Sequence, residues 1–240
     1  MDLTEAQRQE FEDRGWTVLS DVFGPEEVEL LTDAALDVLE RPGPEVGREA
    51  DGSPHVSWGM HLFNEQLAVL CRHENLINPS RTLLDNEVYV HQSRINIKQT
   101  NGSIVAWHQD FGTYHRVDGV PHPKGVMIAV FLDDVTEVNA PLLAVPGSHK
   151  EGLVSTASVD PSSPDFEQVS KYRYDITDET MARLVDQYGL ETITASAGSV
   201  LFMDMTVVHG STVNISPCLL YTSDAADDMQ CVDLGGRRII

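Results

Sequence analysis

Cysteine is scarce and unpatterned. Cys71, Cys218 and Cys231 are the only three, and no CxxC or cysteine–histidine spacing joins them. An odd, unspaced set gives no sign of a disulfide framework or a thiolate metal site. Long apolar runs are missing as well. No window approaches 18 consecutive apolar residues, so no membrane-spanning helix is expected. The opening stretch DLTEAQRQEFEDRG lacks the basic start and apolar run of a secretory leader. Basic charge is also in short supply: 16 Lys and Arg stand against 38 Asp and Glu, a net charge of -22. Such a surface repels polyanions, so neither nucleic acid nor an anionic membrane is an expected partner. The expectation is a soluble cytoplasmic protein acting on a small molecule, with a homodimer left open.

What the chain does have is material for one core. Of its 240 residues 41% are hydrophobic, with no second composition regime. The N-terminal third reads as helical. Thr4 can cap a first segment, Pro25 suits a first helical turn, and Leu30, Leu31, Ala35, Val38 and Leu39 recur at helical spacing. From residue 87 the period changes to strand. The runs EVYVHQSRINIK, KGVMIAVFLDDV, APLLAVPGSH and GSVLFMDMTVVHGS are separated by Pro, Gly and Asn, with a helix expected near 178–189. Short strands after a helical lead predict a mainly β fold with flanking helices, a sandwich or jelly roll.

Two stretches carry chemistry. In residues 87–98 one face holds Tyr89, Ile95 and Ile97, while the other holds Gln92, Arg94, Asn96 and Lys98. That polar face points either to water or into a cavity that could hold a charged small ligand. In AWHQDFGTYHRVDG, strand geometry would put His108 and Asp110 on one face with Gln109 turned away. An H-x-D triplet by itself is a weak signal. His209, closing a second apolar strand about a hundred residues later, completes two imidazoles and a carboxylate, the facial set that suits non-haem Fe(II). His91, His115 and His122 are read as satisfied or exposed side chains, and Pro146–Gly147 before Ser148 and His149 as a structural bend.

The motifs WHQDF at 107–111, APLLAVPGSH at 140–149 and Asp204-x4-His209-Gly-Ser resemble the phytanoyl-CoA dioxygenase family of Fe(II)- and 2-oxoglutarate-dependent oxygenases. HQSRINIK (91–98), WHQDFGTYHRVDGVP (107–121) and HGSTVNISP (209–217) are most similar to its ectoine-hydroxylase branch. The resemblance implies a double-stranded β-helix (jelly-roll, cupin-like) core and a requirement for Fe(II), 2-oxoglutarate and O2. It implies hydroxylation of a small polar metabolite, ectoine or a related amino acid. His108, Asp110 and His209 would be metal ligands and catalytic, Arg94, Ser211 and Lys98 would lie by the co-substrate, and Gln92, Asn96 and Tyr114 by the substrate. Two other readings remain open: a cupin-like metal-binding module without oxidative activity, and the same chemistry on a larger lipid or acyl thioester.

Three departures stand out. Tyr114 occupies the place of a tryptophan and Gly112 that of an acid in ectoine hydroxylases. The arginine expected shortly after the distal His, to clamp the far carboxylate of 2-oxoglutarate, is missing. Pro217, Cys218, Leu219, Leu220 and Tyr221 stand there, and the next arginine is Arg237. The tail CLLYTSDAADDMQCVDLGGRRII has no strand or helix period and looks like a translated sequencing-library adaptor. The expected organisation is therefore a dioxygenase domain over 1–217, truncated at its C-terminus and able to lose activity thereby, followed by an artefactual 218–240. Loss of a closing strand would leave an open sheet edge beside the site.

Overall fold

The computed structural model describes residues 1–155, 176–217 and 219–231, the stretch 223–231 by its main chain only. Helix α1, Glu5–Arg14, begins at a capping box in which Thr4 and Gln7 satisfy each other's backbone N–H groups. It ends at Gly15, whose φ of 93° suits a residue without Cβ and whose N–H bonds Phe11 O. Helix α2, Pro25–Leu39, starts on Pro25 as expected and buries Leu31, Ala34, Ala35, Val38 and Leu39 along one stripe, whereas Leu30 stays exposed. Two further helices, α3 (Glu65–Leu70) and α4 (Glu74–Leu84), complete the helical layer.

The N-terminal third is not purely helical. It also supplies β1 (Trp16–Leu19), β2 (Val46–Arg48) and β3 (Pro54–Trp58), which are too short to impose a visible period; β1 and β3 become strands by pairing with the distant β9 and β4, and β2 by pairing with its neighbour β3. The long strand β4 is Val88–Lys98, and β5 is Val105–His108. After β5 come a short helix α5 (Asp110–Thr113) and a π-helical turn (Tyr114–Asp118), then β6, Gly125–Phe131. Of the run 140–149 only Leu142–Ala144 (β7) is strand. Gly147 then adopts a left-handed φ and Ser148–Glu151 coils into a 3-10 turn. The excursion helix forms as α6, Asp178–Tyr188, followed by β8 (Glu191–Ile193), β9 (Val200–Asp204), β10 (His209–Ser211) and β11 (Leu220–Cys231).

These strands make two sheets among the described residues, with orders β1-β9-β6-β11-β4-β3-β2 and β5-β10-β7-β8. Strand β6 explains how they are layered. Val126, Ile128 and Val130 pack with Phe202 of β9 against α2, α3 and α4, while Met127, Ala129 and Phe131 join Leu201, Met203, Ala144 and Ile193 between the sheets. Both faces of β6 are covered, so GVMIAVF reads as a continuous apolar run.

The expected open edge is not there, because β11 fills the slot between β4 and β6. Its register breaks between Asp224 and Asp227 along β4, and between Ser223 and Ala226 and again between Ala226 and Met229 along β6. A sequence without alternation can form a strand there because two facing rows of unpaired N–H and C=O groups accept any extended main chain. Nothing in its side-chain pattern then holds the register.

Candidate metal centre

A cavity of about 800 Å³ opens between the sheets, and its floor lies where the chain passes from one sheet to the other. Strand β9 ends at Asp204, whose Oδ1 accepts hydrogen bonds from Thr206 N (2.8 Å) and Thr206 Oγ1 (2.5 Å). That bend carries the chain out of the large sheet, and the Val208 N–H, just before β10, donates to Ser148 Oγ (2.9 Å). Strand β10 then lies between β5 and β7, placing His209 opposite His108. A run that the sequence suggests is one strand is thus two strands in different sheets.

His108 closes β5 and Asp110 opens α5, and Gln109 between them keeps an extended backbone (φ -126°, ψ 128°), so the two side chains share a face, as strand alternation suggests, while Gln109 turns away. The chain turns only from Asp110 onward, where α5 begins. Asp110 Oδ1 lies 3.4 Å from His108 Nε2, and Asp110 Oδ2 lies 3.8 Å from His209 Nε2. The two imidazole centroids are 4.3 Å apart. One ligand atom from each of the three residues falls within 4.8 Å of the others.

Both imidazoles are oriented by main chain. His108 Nδ1 lies 2.8 Å from Ala106 O and His209 Nδ1 lies 3.0 Å from Val207 O, which fixes Nδ1 as the protonated nitrogen and leaves both Nε2 atoms as donors of a lone pair. Burial, reinforced by neighbouring His108, pushes His209 down to about 4 and keeps it neutral. Burial opposes ionisation of Asp110. The imidazoles of His209 and His108, to the extent that they carry a proton, and the permanently charged Arg94 guanidinium override it and hold the carboxyl well below the usual carboxylate range. Two neutral imidazoles and one carboxylate are what a divalent metal needs. Asp110 Oδ2 and Ser211 Oγ are buried without a hydrogen-bond partner among the described residues, as expected of atoms that await a ligand.

All nine residues singled out in the sequence line this one cavity: His108, Asp110 and His209 with Arg94, Lys98, Ser211, Gln92, Asn96 and Tyr114. The β4 alternation resolves in favour of a polar wall, with Ile95 and Ile97 in the core behind it. Lys98 Nζ donates to Ser103 O (3.1 Å) and so leans toward the mouth, where Glu49 in turn accepts from Ser103 N and Oγ. Tyr114 OH donates to Gln92 Oε1 at 3.0 Å. His91 and His115 are satisfied by Asp118 and by Val120 O, and His122 is exposed. At the place of the missing arginine, Leu220 and Thr222 face the cavity, and Tyr221 N bonds the Asp133 carboxylate.

Some residues escape a reading of motifs. Gln109 is fully buried with its amide saturated, and Asn214, equally buried, ties the exit of β10 to Lys98 O of β4. Both lie inside the motifs WHQDF and HGSTVNISP, but their role is not legible there, since what an amide does is seen only when its partners are known.

Fold and floor define a metal-dependent oxygenase on a double-stranded β-helix. Residues 11–219 match the phytanoyl-CoA dioxygenase (PhyH) family, and the chain belongs to that family of Fe(II)- and 2-oxoglutarate-dependent dioxygenases. It is 37% identical over 223 residues to an ectoine dioxygenase of Bordetella bronchiseptica, covering 90% of this chain and 72% of the relative. An L-proline trans-4-hydroxylase of Streptomyces griseoviridis is 34% identical over 213 residues, covering 84% and 78%. The crystal structure of EctD from S. alaskensis with 2-oxoglutarate and 5-hydroxyectoine superposes with a TM-score of 0.79 at 28% identity, covering 92% of this chain and 74% of that one. No helix among the described residues is long and apolar enough to cross a membrane.

Proposed function

We propose that this dioxygenase hydroxylates a small zwitterionic metabolite, ectoine or a related cyclic amino acid. The observation that carries this reading is the pairing, in one cavity of about 800 Å³, of the His108–Asp110–His209 floor with the polar β4 wall. A cavity of that size suits a small ligand and its co-substrate together. Relatives bearing the names ectoine dioxygenase and L-proline trans-4-hydroxylase point to the same substrate class.

In this reading His108, Asp110 and His209 hold Fe(II), which when bound with 2-oxoglutarate and O2 supplies the oxidising power. Arg94 and Ser211 face the co-substrate near the metal, and Lys98 supplies charge toward the mouth. Gln92 and Asn96 offer hydrogen bonds to the substrate's polar groups. Tyr114 presents an aromatic face to its cationic part while its hydroxyl steadies Gln92. The protein's own contribution is orientation and exclusion of water: the ligands are fixed by backbone, and Phe111, Val120 and Met205 close the apolar side behind them. Retention of Asp110 favours hydroxylation over halogenation, because a halide would need the position the carboxylate fills.

We further propose that residues 1–217 form the dioxygenase domain and that 218–240 translate an adaptor. The family match ends at residue 219, which supports this. Sequencing the source DNA across codon 217 from an adaptor-free library tests it: a different continuation is expected, and the same codons would overturn it. For the activity, succinate release from 2-oxoglutarate is measured with ectoine and with L-proline, using the native continuation. Stimulation by at least one is expected. The substrate class is wrong if no small zwitterion stimulates release while the ferrous protein still develops the visible band of bound 2-oxoglutarate under anaerobic conditions.

A further inference from the structure

Gln109, between two of the three metal-site residues, makes four hydrogen bonds with its side chain alone. Its Nε2 donates to Gly152 O (2.8 Å) and to Thr206 O (2.6 Å). Its Oε1 accepts from Val154 N (2.8 Å) and Ser155 N (3.0 Å). The full capacity of a primary amide, two donors and two acceptor positions, is used. Three of the bonds go to one segment, residues 152–155, and the fourth to the bend that leads into His209.

The same segment is seated on the turn that follows Asp110. Leu153 packs against Phe111, Tyr114, Val120 and Met205, and the Arg116 guanidinium donates to Ser155 O. The seat is close because residue 112 has no side chain: a Cβ there would stand 2.5 Å from Ser155 Oγ and 3.5 Å from Leu153 Cδ1. Gly112, the departure that looks like loss of an acid when read in sequence, is thus the space into which this segment fits. Phe111 N also bonds Met205 O (3.0 Å), so the stretch holding Asp110 and the bend leading into His209 are linked directly as well.

We propose that residues 152–155 and the metal-binding triad are energetically coupled through the Gln109 amide: metal binding tightens this segment, and loss of the amide weakens metal binding. The inference rests on the reading of His108, Asp110 and His209 as metal ligands. Coupling follows from geometry, because Gln109 cannot shift without moving both neighbouring ligands, and its partners cannot leave without stranding a buried amide. Linkage makes the effect reciprocal. Gln109 is a positioning residue here, acting on the metal through the side chains beside it.

The test uses the full chain with Co(II) as the probe. Hydrogen exchange is followed by mass spectrometry with and without saturating Co(II), with a peptide from α2 as the remote control. Exchange at Val154 and Ser155 is expected to slow at least about fivefold on metal addition, beyond any change in α2. Gln109→Met keeps the volume and removes all four bonds; its Co(II) Kd is expected to rise about tenfold or more, with an altered visible ligand-field band. Gly112→Ala, which crowds Ser155 without touching the amide, should weaken Co(II) binding by a smaller factor. A purely structural role would lower the melting temperature of Gln109→Met while leaving the Co(II) Kd and band of the folded fraction as in the parent, and that result overturns the proposal. Unchanged exchange at 152–155 in the parent also overturns it, and needs no variant to fold. Failure of the parent to bind Co(II) would bring down the triad reading and this inference with it. Binding without coupling removes the inference alone.

Discussion

The floor and the wall of the cavity are built on opposite plans. The floor takes its ligands from β5, the turn into α5 and β10, elements of three or four residues, and fixes each imidazole by a main-chain carbonyl two residues back. The wall takes Gln92, Arg94, Asn96 and Lys98 from one strand of 11 residues, where alternation alone aims them, and where each is only partly buried. A ligand set pinned by backbone leaves little freedom to whatever binds there, which suits chemistry that must not vary. Side chains on a long regular strand can be exchanged without moving their neighbours, which suits a specificity surface. In the proposed reading this difference assigns the reaction to the floor and the choice of substrate to Gln92 and Asn96 of the wall.

The sharpest way to break that division is Asp110→Ala. It removes the only anionic donor of the floor, so turnover should vanish and Co(II) affinity fall by more than the roughly 10–100-fold typical of supporting residues. Retained activity would take Asp110 out of the floor altogether. On the wall, Gln92→Ala should raise substrate KM about tenfold, near 1.4 kcal/mol, while uncoupled consumption of 2-oxoglutarate changes little. An equal loss of both would move Gln92 to the co-substrate side and blur the division.

The floor should also be the pH-sensitive part. His209 sits at about 4 when folded, against an ordinary 6.5, so the unfolded chain takes up this proton first as pH falls. Stability from this group is complete above pH 6.5 and declines between 6.5 and 4, with roughly 2–4 °C of melting temperature per kcal/mol for a chain of this size. Scanning calorimetry of the metal-free protein should show the slope, and His209→Leu should reduce it. A slope unaltered by that substitution would mean that His209 does not set it. The smallest effect is expected from Tyr114→Phe, which deletes the hydroxyl steadying Gln92 and should raise KM by a few-fold, about 1 kcal/mol or less. Combined with Gln92→Ala it should add almost nothing; full additivity would show that the 3.0 Å bond does not operate in solution. Tyr114→Trp, restoring the ring of ectoine hydroxylases, should shift preference toward ectoine in a competition assay.

Much of the floor was legible as residue types, because H-x-D and a distal His are rare companions at the ends of apolar strands, and the motifs around them carry the family. The alignment of His108 with Asp110 across an extended Gln109 was legible too, but the bend that brings His209 opposite them was not, because 200–211 reads as one strand and is two. In β4 the alternation was legible but its direction was not, since a polar face looks the same toward water and toward a cavity. Strand β11 was illegible for the opposite reason: its pairing is supplied by the exposed edges of β4 and β6 and not by any pattern of its own.

By itself the sequence determined the inventory: an acidic surface, one apolar core, a capped helical lead, alternating strands, and two imidazoles with one carboxylate in the order a facial metal site needs. Those are properties of local spacing and composition, which need no distant partner. Only the tertiary structure decided that the Asp204 bend carries His209 into the other sheet opposite His108, that Gln109 binds the segment 152–155 to both, and that Gly112 makes room for it. Such contacts join residues some forty to a hundred positions apart in sequence. They exist because closing those loops is repaid in buried apolar surface and satisfied hydrogen bonds, a balance that no local stretch of sequence contains.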